Sequence, residues 1–411
     1  MAHVLILCAG PLCRNPRVLK EATALGNAGF EVTVTSIANI ARFEAYDAEL
    51  LKGAPFRQVA LDRVSGAPSS RLYSSMERVL GWSARKLGKC GIESPFALGP
   101  YYALKRLAEG IPADLTIVHT ELPFCIGASM LAGGRRIAAD FEDWHSRDLL
   151  PSARVGRPLR LLERTERLLM RNAVYTSAPS GPMASALSEA YGGPLPFVIP
   201  NTFPLQPAPP PVPRGTTPSF FWFSQTIGEG RGLESFLGSW SLTREDSRVS
   251  LLGDVSEGYR RRLLGLVPTS HRGRLSFQPL TSPEELPAAI AAHDLGLALE
   301  PDSPPSRYLT ATNKIFQYLN AGLAIIATPT AGQKEVLAAV GECGLVLDFG
   351  DQARVASQLD ALLADRERLS RMARAARNGA ESKYCWERTA PVLVEAVRRA
   401  VGKQGERPVT P

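Results

Sequence analysis

The chain has 411 residues, which at roughly 150 residues per domain points to two domains, or three. Apolar residues make up 45% and charged residues 21%, close to the globular averages of roughly 45–50% and about 25%, so disorder, collagen and coiled coil are excluded. The 47 Lys and Arg against 40 Asp and Glu leave a net charge of +7, which suits phosphate ligands or an anionic surface; no long basic block with interleaved aromatics speaks for nucleic acid.

Six cysteines, Cys8, Cys13, Cys90, Cys125, Cys343 and Cys385, lie scattered without C-x-x-C spacing, against a zinc site or a dense disulfide framework. A reducing, cytoplasmic compartment is the expectation. Residues 4–10 read as a buried first strand, not a signal peptide, and no run of 18 apolar residues predicts a membrane span.

Strand and helix patterns alternate from the start. An apolar run at 4–7 is followed by a helix over 17–26, with Val18, Ala22 and Leu25 at i, i+4 and i+7, and by a β-branched run at 31–35. Residues 41–110 read as a variable insertion. Strands are then predicted at 115–118, 137–139, 173–176 and 197–199, with helices near 123–131, 158–171 and 181–191. Seven prolines between 204 and 218 mark an extended connector. Beyond it strands are predicted at 220–223, 249–252, 275–277, 295–299, 324–327 and 344–347, with helices between them, and three amphipathic helices fill 352–400. Such alternation implies parallel sheets covered on both faces.

In open α/β sheets ligands meet the loops beyond the carboxyl ends of strands, near helix N-termini that favour phosphate. After the first strand, Gly10 permits close backbone approach and Pro16 suits a first helical turn, with Asn15 either capping that helix or lining a site. No G-x-G-x-x-G is present, which disfavours a dinucleotide. In the second half, the loop expected after the strand at 220–223 carries Gln225 and Thr226 and then Gly228, Gly230 and Gly232 around Arg231; backbone amides and a planar guanidinium there suit a diphosphate. At the start of a later helix stand Asn313, Lys314 and Gln317. A lysine in that turn opposes the helix dipole unless an anion is bound, and Gln317 is expected on the same face.

These segments carry a resemblance. Asn15-Pro16-Arg17-Val18-Leu19-Lys20-Glu21-Ala22 resembles the D-P-R-V-x-R-E-A opening of GT-B-fold retaining glycosyltransferases of family 4, and Asp140-Phe141-Glu142-Asp143-Trp144-His145 their D-x-H-[DE] segment. Val198-Ile199-Pro200-Asn201 is similar to their V-I-P-N strand, Lys314-Ile315-Phe316-Gln317-Tyr318-Leu319-Asn320-Ala321-Gly322 to K-x-F-E-Y-M-A-x-G, and Tyr384-Cys385-Trp386-Glu387 to Y-S-W-E. The ordered matches run from 15 to 387.

The resemblance implies two Rossmann-like domains with a cleft between them: an acceptor domain over 1–203, a linker over 204–218, a donor domain over 219–383, and a last helix over 384–411 crossing back to the first domain. It implies transfer of a sugar from a nucleotide diphosphate sugar to a glycan or lipid-linked acceptor, with no metal and no cofactor. The donor is assigned to Gly10, Gln225, Thr226, Gly228, Gly230, Arg231, Gly232, Asn313, Lys314 and Gln317. Asn15, Arg17, His119, Asp140, Asp143 and His145 are assigned to the acceptor, and Glu142, His119, Arg231 and Lys314 to catalysis, with His119 ending its strand and pointing into the cleft.

There are departures. Thr226 and Arg231 stand where the family has Arg and Lys, Leu309 and Gln317 replace both glutamates of E-x7-E, and Glu142 takes the place of the motif histidine. Lys314, Asn313 and Glu142 are expected to take over those roles; the rival readings are a non-catalytic scaffold subunit and a nucleotide-sugar epimerase. Finally, Arg160, Arg164, Arg167 and Arg171 recur along one helix edge beside Leu161 and Leu168, a pattern suited to peripheral docking at the inner face of an anionic membrane or to a solvated face with a Glu163–Arg167 pair.

Overall fold

The computed structural model describes residues 1–38, 41–62, 68–207 and 217–402, so the middle of the proline-rich connector, 208–216, lies outside the described residues. The chain divides into two compact units, Met1–Ile199 with Ala390–Pro411, and Pro200–Thr389. The divisions therefore fall at 199/200 and 389/390, not at 203/204 and 383/384.

The first unit is built on seven strands: β1 His3–Leu7, β2 Glu31–Ala38, β3 Arg57–Asp62, β4 Leu115–His119, β5 Ile137–Asp140, β6 Thr176–Ala178 and β7 Phe197–Val198. They are parallel throughout, in the order β3-β2-β1-β4-β5-β6-β7. Val4, Leu5, Ile6 and Leu7 are fully buried, because helices cover both faces of the sheet and leave no strand face for polar residues. β1 pairs with β4 on one side and β2 on the other, so the chain direction of the crossovers reverses there and the carboxyl ends of β1 and β4 form the natural ligand position.

The second unit repeats the plan with β8 Ser219–Ile227, β9 Arg248–Val255, β10 Leu275–Gln278, β11 Leu295–Ala298, β12 Ala324–Ala327 and β13 Gly344–Val346. Its parallel order is β10-β9-β8-β11-β12-β13, which puts the corresponding position at the ends of β8 and β11. Residues 204–206 of the connector are tied to this unit. Asn320 Nδ2 donates to Pro204 O at 2.8 Å, Gln206 N to Asn320 Oδ1 at 3.0 Å, and Arg377 Nη2 to Gln206 O at 2.8 Å.

Three expectations are revised. The stretch 41–110 carries an edge strand, β3, and the helices Ala41–Leu50, Pro68–Gly88 and Tyr101–Glu109; Arg57 and Gln58 on β3 broke the apolar signature. β4 ends on His119, as expected, whereas β6 starts at Thr176, later than predicted, and β8 continues through Ile227, past its predicted end.

Close packing sets the helix Asn313–Ala321 over β11. Gly296 has no side chain because the Tyr318 ring takes its place: a Cβ there would stand 2.2 Å from Tyr318 Cγ. The Tyr318 hydroxyl donates to Phe221 O at 3.2 Å and Leu297 O at 3.3 Å. Gly296→Ala is expected to cost about 1–3 kcal/mol by overpacking, read as a lower urea midpoint; an unchanged midpoint would show that the ring can give way.

Candidate functional site

In the first unit, Gly10 (φ 109°) turns the chain after β1. The loop is then fixed from an element the sequence left unread, since Asp47 accepts from Leu12 N at 2.9 Å and Cys13 N at 2.7 Å. Asn15 is half-buried and does not cap the helix Pro16–Asn27 with its side chain; its Nδ2 donates to Pro11 O at 2.7 Å.

Arg17, in the first turn of that helix, is buried. Its Nε and Nη2 donate to the two oxygens of Asp140 at 2.5 and 2.8 Å, and Nη1 donates to Ile199 O at 2.9 Å. Glu21, one turn on, places Oε1 3.3 Å from Arg17 Nε and Oε2 3.2 Å from His119 Nε2, while His119 Nδ1 lies 3.2 Å from Asp140 Oδ2. The imidazole contacts are ion pairs without hydrogen-bond alignment. Ser177 Oγ donates to Asp140 Oδ1 at 2.8 Å. The motifs at 15–22 and 140–145 thus meet as one buried charged cluster.

Burial opposes the charges on His119 and Asp140, and pairing wins. Desolvation would lower the His119 pKa, but Glu21 and Asp140 raise it to about 10. Desolvation would raise Asp140, but Arg17 and His119 hold it well below the usual carboxylate range. Glu21, His119 and Asp140 each bring one potential ligand atom within 4.8 Å of the others, yet Arg17 already supplies the cation that such a set would seek.

Several acceptor assignments are therefore corrected. His119 is fully buried and faces Glu21 and Asp140, not a ligand; Arg17 and Asp140 are 1% exposed. Their side chains are consumed by one another and form the floor of the site. His145 is buried against Phe124, ring centroids 5.0 Å apart, and burial lowers its pKa to about 4. It is a neutral packing residue.

Glu142 and Asp143 remain half-buried on the loop after β5. Burial raises the Glu142 carboxyl above its ordinary value, with Arg17 pulling the other way, and burial with Arg17 lowers the neighbouring Lys20 ammonium to about 7. The loop is held by a carboxylate that lies outside every motif. Glu166, fully buried, accepts from Ser146 N at 3.0 Å, Ser146 Oγ at 2.6 Å and Tyr191 Oη at 2.7 Å, and Tyr191 in turn accepts from Trp144 Nε1 at 2.7 Å.

In the second unit, Gln225 and Thr226 lie inside β8, exposed, with Thr226 paired opposite Asp254 of β9 after a register shift at Phe223/Thr226. They are strand residues, contrary to the predicted loop. The loop itself is 228–232. Gly230 (φ 71°) and Gly232 (φ 74°) adopt the left-handed region that favours glycine, and Gly232 opens the helix Leu233–Trp240, whose first N–H groups have no helical partner. Arg231 is half-buried and makes no hydrogen bond or ion pair among the described residues.

A Cβ on Gly232 would stand 3.0 Å from Leu299 Cβ, so the loop rests on the end of β11. The next residue, Glu300, accepts from Lys314 Nζ at 3.1 Å and Thr312 Oγ1 at 3.0 Å. Lys314 also lies 5.4 Å from the centroid of the Trp222 ring. The anion that answers a lysine in that first turn is thus Glu300, which the sequence reading missed. Its one signal was an acid directly after a central apolar strand. Asn313 is half-buried beside Lys314. Gln317, one turn on, lines an apolar groove of about 480 Å³ with Phe203, Pro287 and Asn320.

Residues 234–395 match the family model described as glycosyl transferase-like. No curated protein sequence matches the chain. Among solved structures, HepE of Anabaena in complex with UDP and glucose aligns with a TM-score of 0.65 at 16% identity, covering 98% of this chain and 100% of that one. Sucrose-phosphate synthase of Thermosynechococcus elongatus gives 0.67 at 15%, over 98% and 100%; WaaG, a glycosyltransferase involved in lipopolysaccharide biosynthesis, gives 0.62 at 14%, over 98% and 100%. The chain has the GT-B fold, and its residues 234–395 are similar to the glycosyl transferase-like family. The enzyme class expected from the sequence, a glycosyltransferase, agrees with both findings.

The buried cluster yields a stability prediction. Asp140→Asn leaves Arg17 and His119 sharing Glu21 as their one counter-charge in the cluster, an excess buried positive charge expected to cost about 3–5 kcal/mol, measured by urea unfolding. His119 has a folded-state pKa of about 10 against about 6.5 unfolded. Its contribution is therefore complete below pH 6.5 and lost as pH rises through 10. Lys20, lowered to about 7, acts in the opposite sense over that window, so the readout is the difference between wild type and His119→Gln. That difference should shrink from pH 6.5 to 10; a constant difference would mean the imidazole is neutral.

Proposed function

We propose that the chain is a metal-independent glycosyltransferase moving a sugar from a nucleotide diphosphate sugar, bound by the second unit, to a glycan or lipid-linked acceptor bound by the first, with retention at the anomeric carbon and no cofactor. The observation that carries the donor half is Arg231: an unpartnered guanidinium, presented by left-handed glycines at a helix N-terminus, at the same end of the sheet as Lys314. Departure of the sugar leaves growing negative charge on the diphosphate. Cations and N–H groups fixed in advance around it stabilise that charge without reorganising. Lys314 has three donors and spends one on Glu300, so it retains capacity for a phosphate oxygen.

On the acceptor side the reading assigns Glu142 and Asp143, on a loop braced by Glu166 and the Arg17–Asp140 pair, to hydrogen-bonding sugar hydroxyls. The donor phosphate can itself accept the acceptor's proton, so no enzymic base is required. Retention and acceptor class rest on the family resemblance; HepE, solved with UDP and glucose, makes a UDP-sugar the first donor to try. The replacement of both glutamates by Leu309 and Gln317, with Lys314 partly neutralised by Glu300, favours one second reading, a GT-B subunit that binds donor without turning it over.

The test is thermal unfolding with UDP, GDP, ADP, CDP and dTDP. A nucleotide at 100 times its Kd should add about 2.7 kcal/mol to apparent stability, and Arg231→Ala should abolish the shift and cut turnover at least about tenfold, or about 1.4 kcal/mol of transition-state stabilisation. Wild-type turnover in that variant would remove Arg231 from the site. A shift without turnover for any donor would select the binding subunit, and no shift with any nucleotide at millimolar concentration would overturn the donor site.

A further inference from the structure

The arginine stripe on the helix Leu159–Asn172 is largely engaged within the protein. Arg160 Nη2 donates to Gly91 O at 2.6 Å, Arg167 pairs with Glu163 at 3.1 Å, and Arg171 Nε donates to Tyr191 O at 2.7 Å. It offers little free charge to a partner. A different surface of the same unit does.

The helix Pro68–Gly88 buries Glu77, Gly81 and Ala84. At roughly 100° per residue, Val79, Trp82 and Lys86 project from the opposite side. Val79 is 63% and Trp82 55% exposed, and they are flanked by Met76 and Leu87, each 47% exposed. Ile92, whose N–H bonds Leu87 O at 3.1 Å, adds a further side chain that is 59% exposed. Among the described residues this apolar face is left largely uncovered, more than folding explains.

The charge around it decides the occupant. Residues 75–92 carry Arg78, Arg85, Lys86 and Lys89, all exposed, against one acid, Glu77, which is buried and accepts from Ala103 N at 3.1 Å. Lys86 Nζ lies 3.9 Å from the centroid of the Trp82 ring, so the ammonium rides at the edge of the apolar face. Apolar side chains led by a tryptophan, rimmed by one sign of charge with no exposed counter-charge on the segment, match an anionic bilayer surface, where the chains enter the acyl boundary and the cations stay among headgroups. No described helix is long and apolar enough to cross a membrane, so contact through this helix is contact at the surface.

We propose that the outward face of the helix Pro68–Gly88, centred on Val79, Trp82 and Lys86, is a peripheral docking surface for anionic lipid. The inference deepens the lipid-linked arm of the proposed function, and its test reads binding to lipid, so its failure leaves the transfer reaction standing.

The experiment is co-sedimentation of the full chain with vesicles of phosphatidylcholine alone or with 30 mol% phosphatidylglycerol, at about 0.1 M and 0.5 M NaCl. The wild type should partition at least tenfold more onto the anionic vesicles at low salt and lose most of that at high salt. Its tryptophan emission should move to shorter wavelength, a shift missing in Trp82→Phe. Val79→Glu with Trp82→Glu should lower partition at least tenfold while leaving the urea midpoint unchanged, and Lys86→Gln with Lys89→Gln should remove the preference for anionic lipid. Equal sedimentation with both vesicles, or a glutamate double variant that sediments like wild type, would overturn the proposal. So would a wild-type dimer, split by the double variant, in a protein that ignores vesicles; the face would then belong to a second copy.

Discussion

The buried pair Arg17–Asp140 is the contact on which the first unit's site depends. A guanidinium in the first turn of a helix opposes the helix dipole and, once desolvated, costs several kcal/mol unless its donors are met. Here Asp140 meets two and the Ile199 carbonyl a third. Because Asp140 ends β5 and Ile199 follows β7, satisfying one side chain fixes two strand ends against the helix after β1, and His119, at the end of β4, joins them through Asp140. Ser177 draws in β6 through the same carboxylate. The loop bearing Glu142 starts from this anchored point, so its geometry follows from electrostatic necessity at its base.

The second unit uses the same device with a different outcome. Lys314, like Arg17, is the second residue of a helix that follows a central strand, and its carboxylate, like Asp140, stands at the end of such a strand. The difference is saturation. Arg17 is 1% exposed and bonded through all three nitrogens, whereas the Lys314 side chain is 12% exposed and donates one hydrogen bond to Glu300. One cation is spent wholly on folding, and the other keeps donors unspent. The contrast separates a saturated arginine from an unsaturated lysine that their positions in sequence make look alike.

The alternation of strands and helices, and hence two parallel sheets, was legible because strands buried on both faces leave continuous apolar runs. The same property hid the side-chain directions. With no polar face on β4, nothing in its sequence told whether His119 looks toward solvent or toward Glu21, and only the three-dimensional neighbours decide. β3 was missed because an edge strand tolerates Arg57 and Gln58, and the extension of β8 because the irregularity between Phe223 and Thr226 breaks the alternation where the strand continues. Glu300 was missed for another reason: its partner lies 14 residues away across a loop, and such pairing is tertiary. The motifs themselves were found in order, but the residues that match the family most closely in the first unit, Arg17 and Asp140, proved to be its braces.

That division of labour bears on the replaced residues. With Thr226 fixed in a strand and carrying no charge, Arg231 is the one unpartnered cation of the loop 228–232, held in place by the backbone of two left-handed glycines. In the donor site proposed above, a diphosphate would meet one cation without a competitor and one shared with a buried carboxylate. Glu300 would then act in two opposing ways: it keeps the ammonium of Lys314 at the end of β11, and it would repel the same anion that Lys314 attracts. Neutralising Glu300 would relieve the repulsion and also release the lysine from its position. On that reading Glu300 is a positioning residue, acting on the donor through Lys314, and the strength of the proposed site rests on how far a diphosphate can draw that ammonium without leaving the carboxylate stranded.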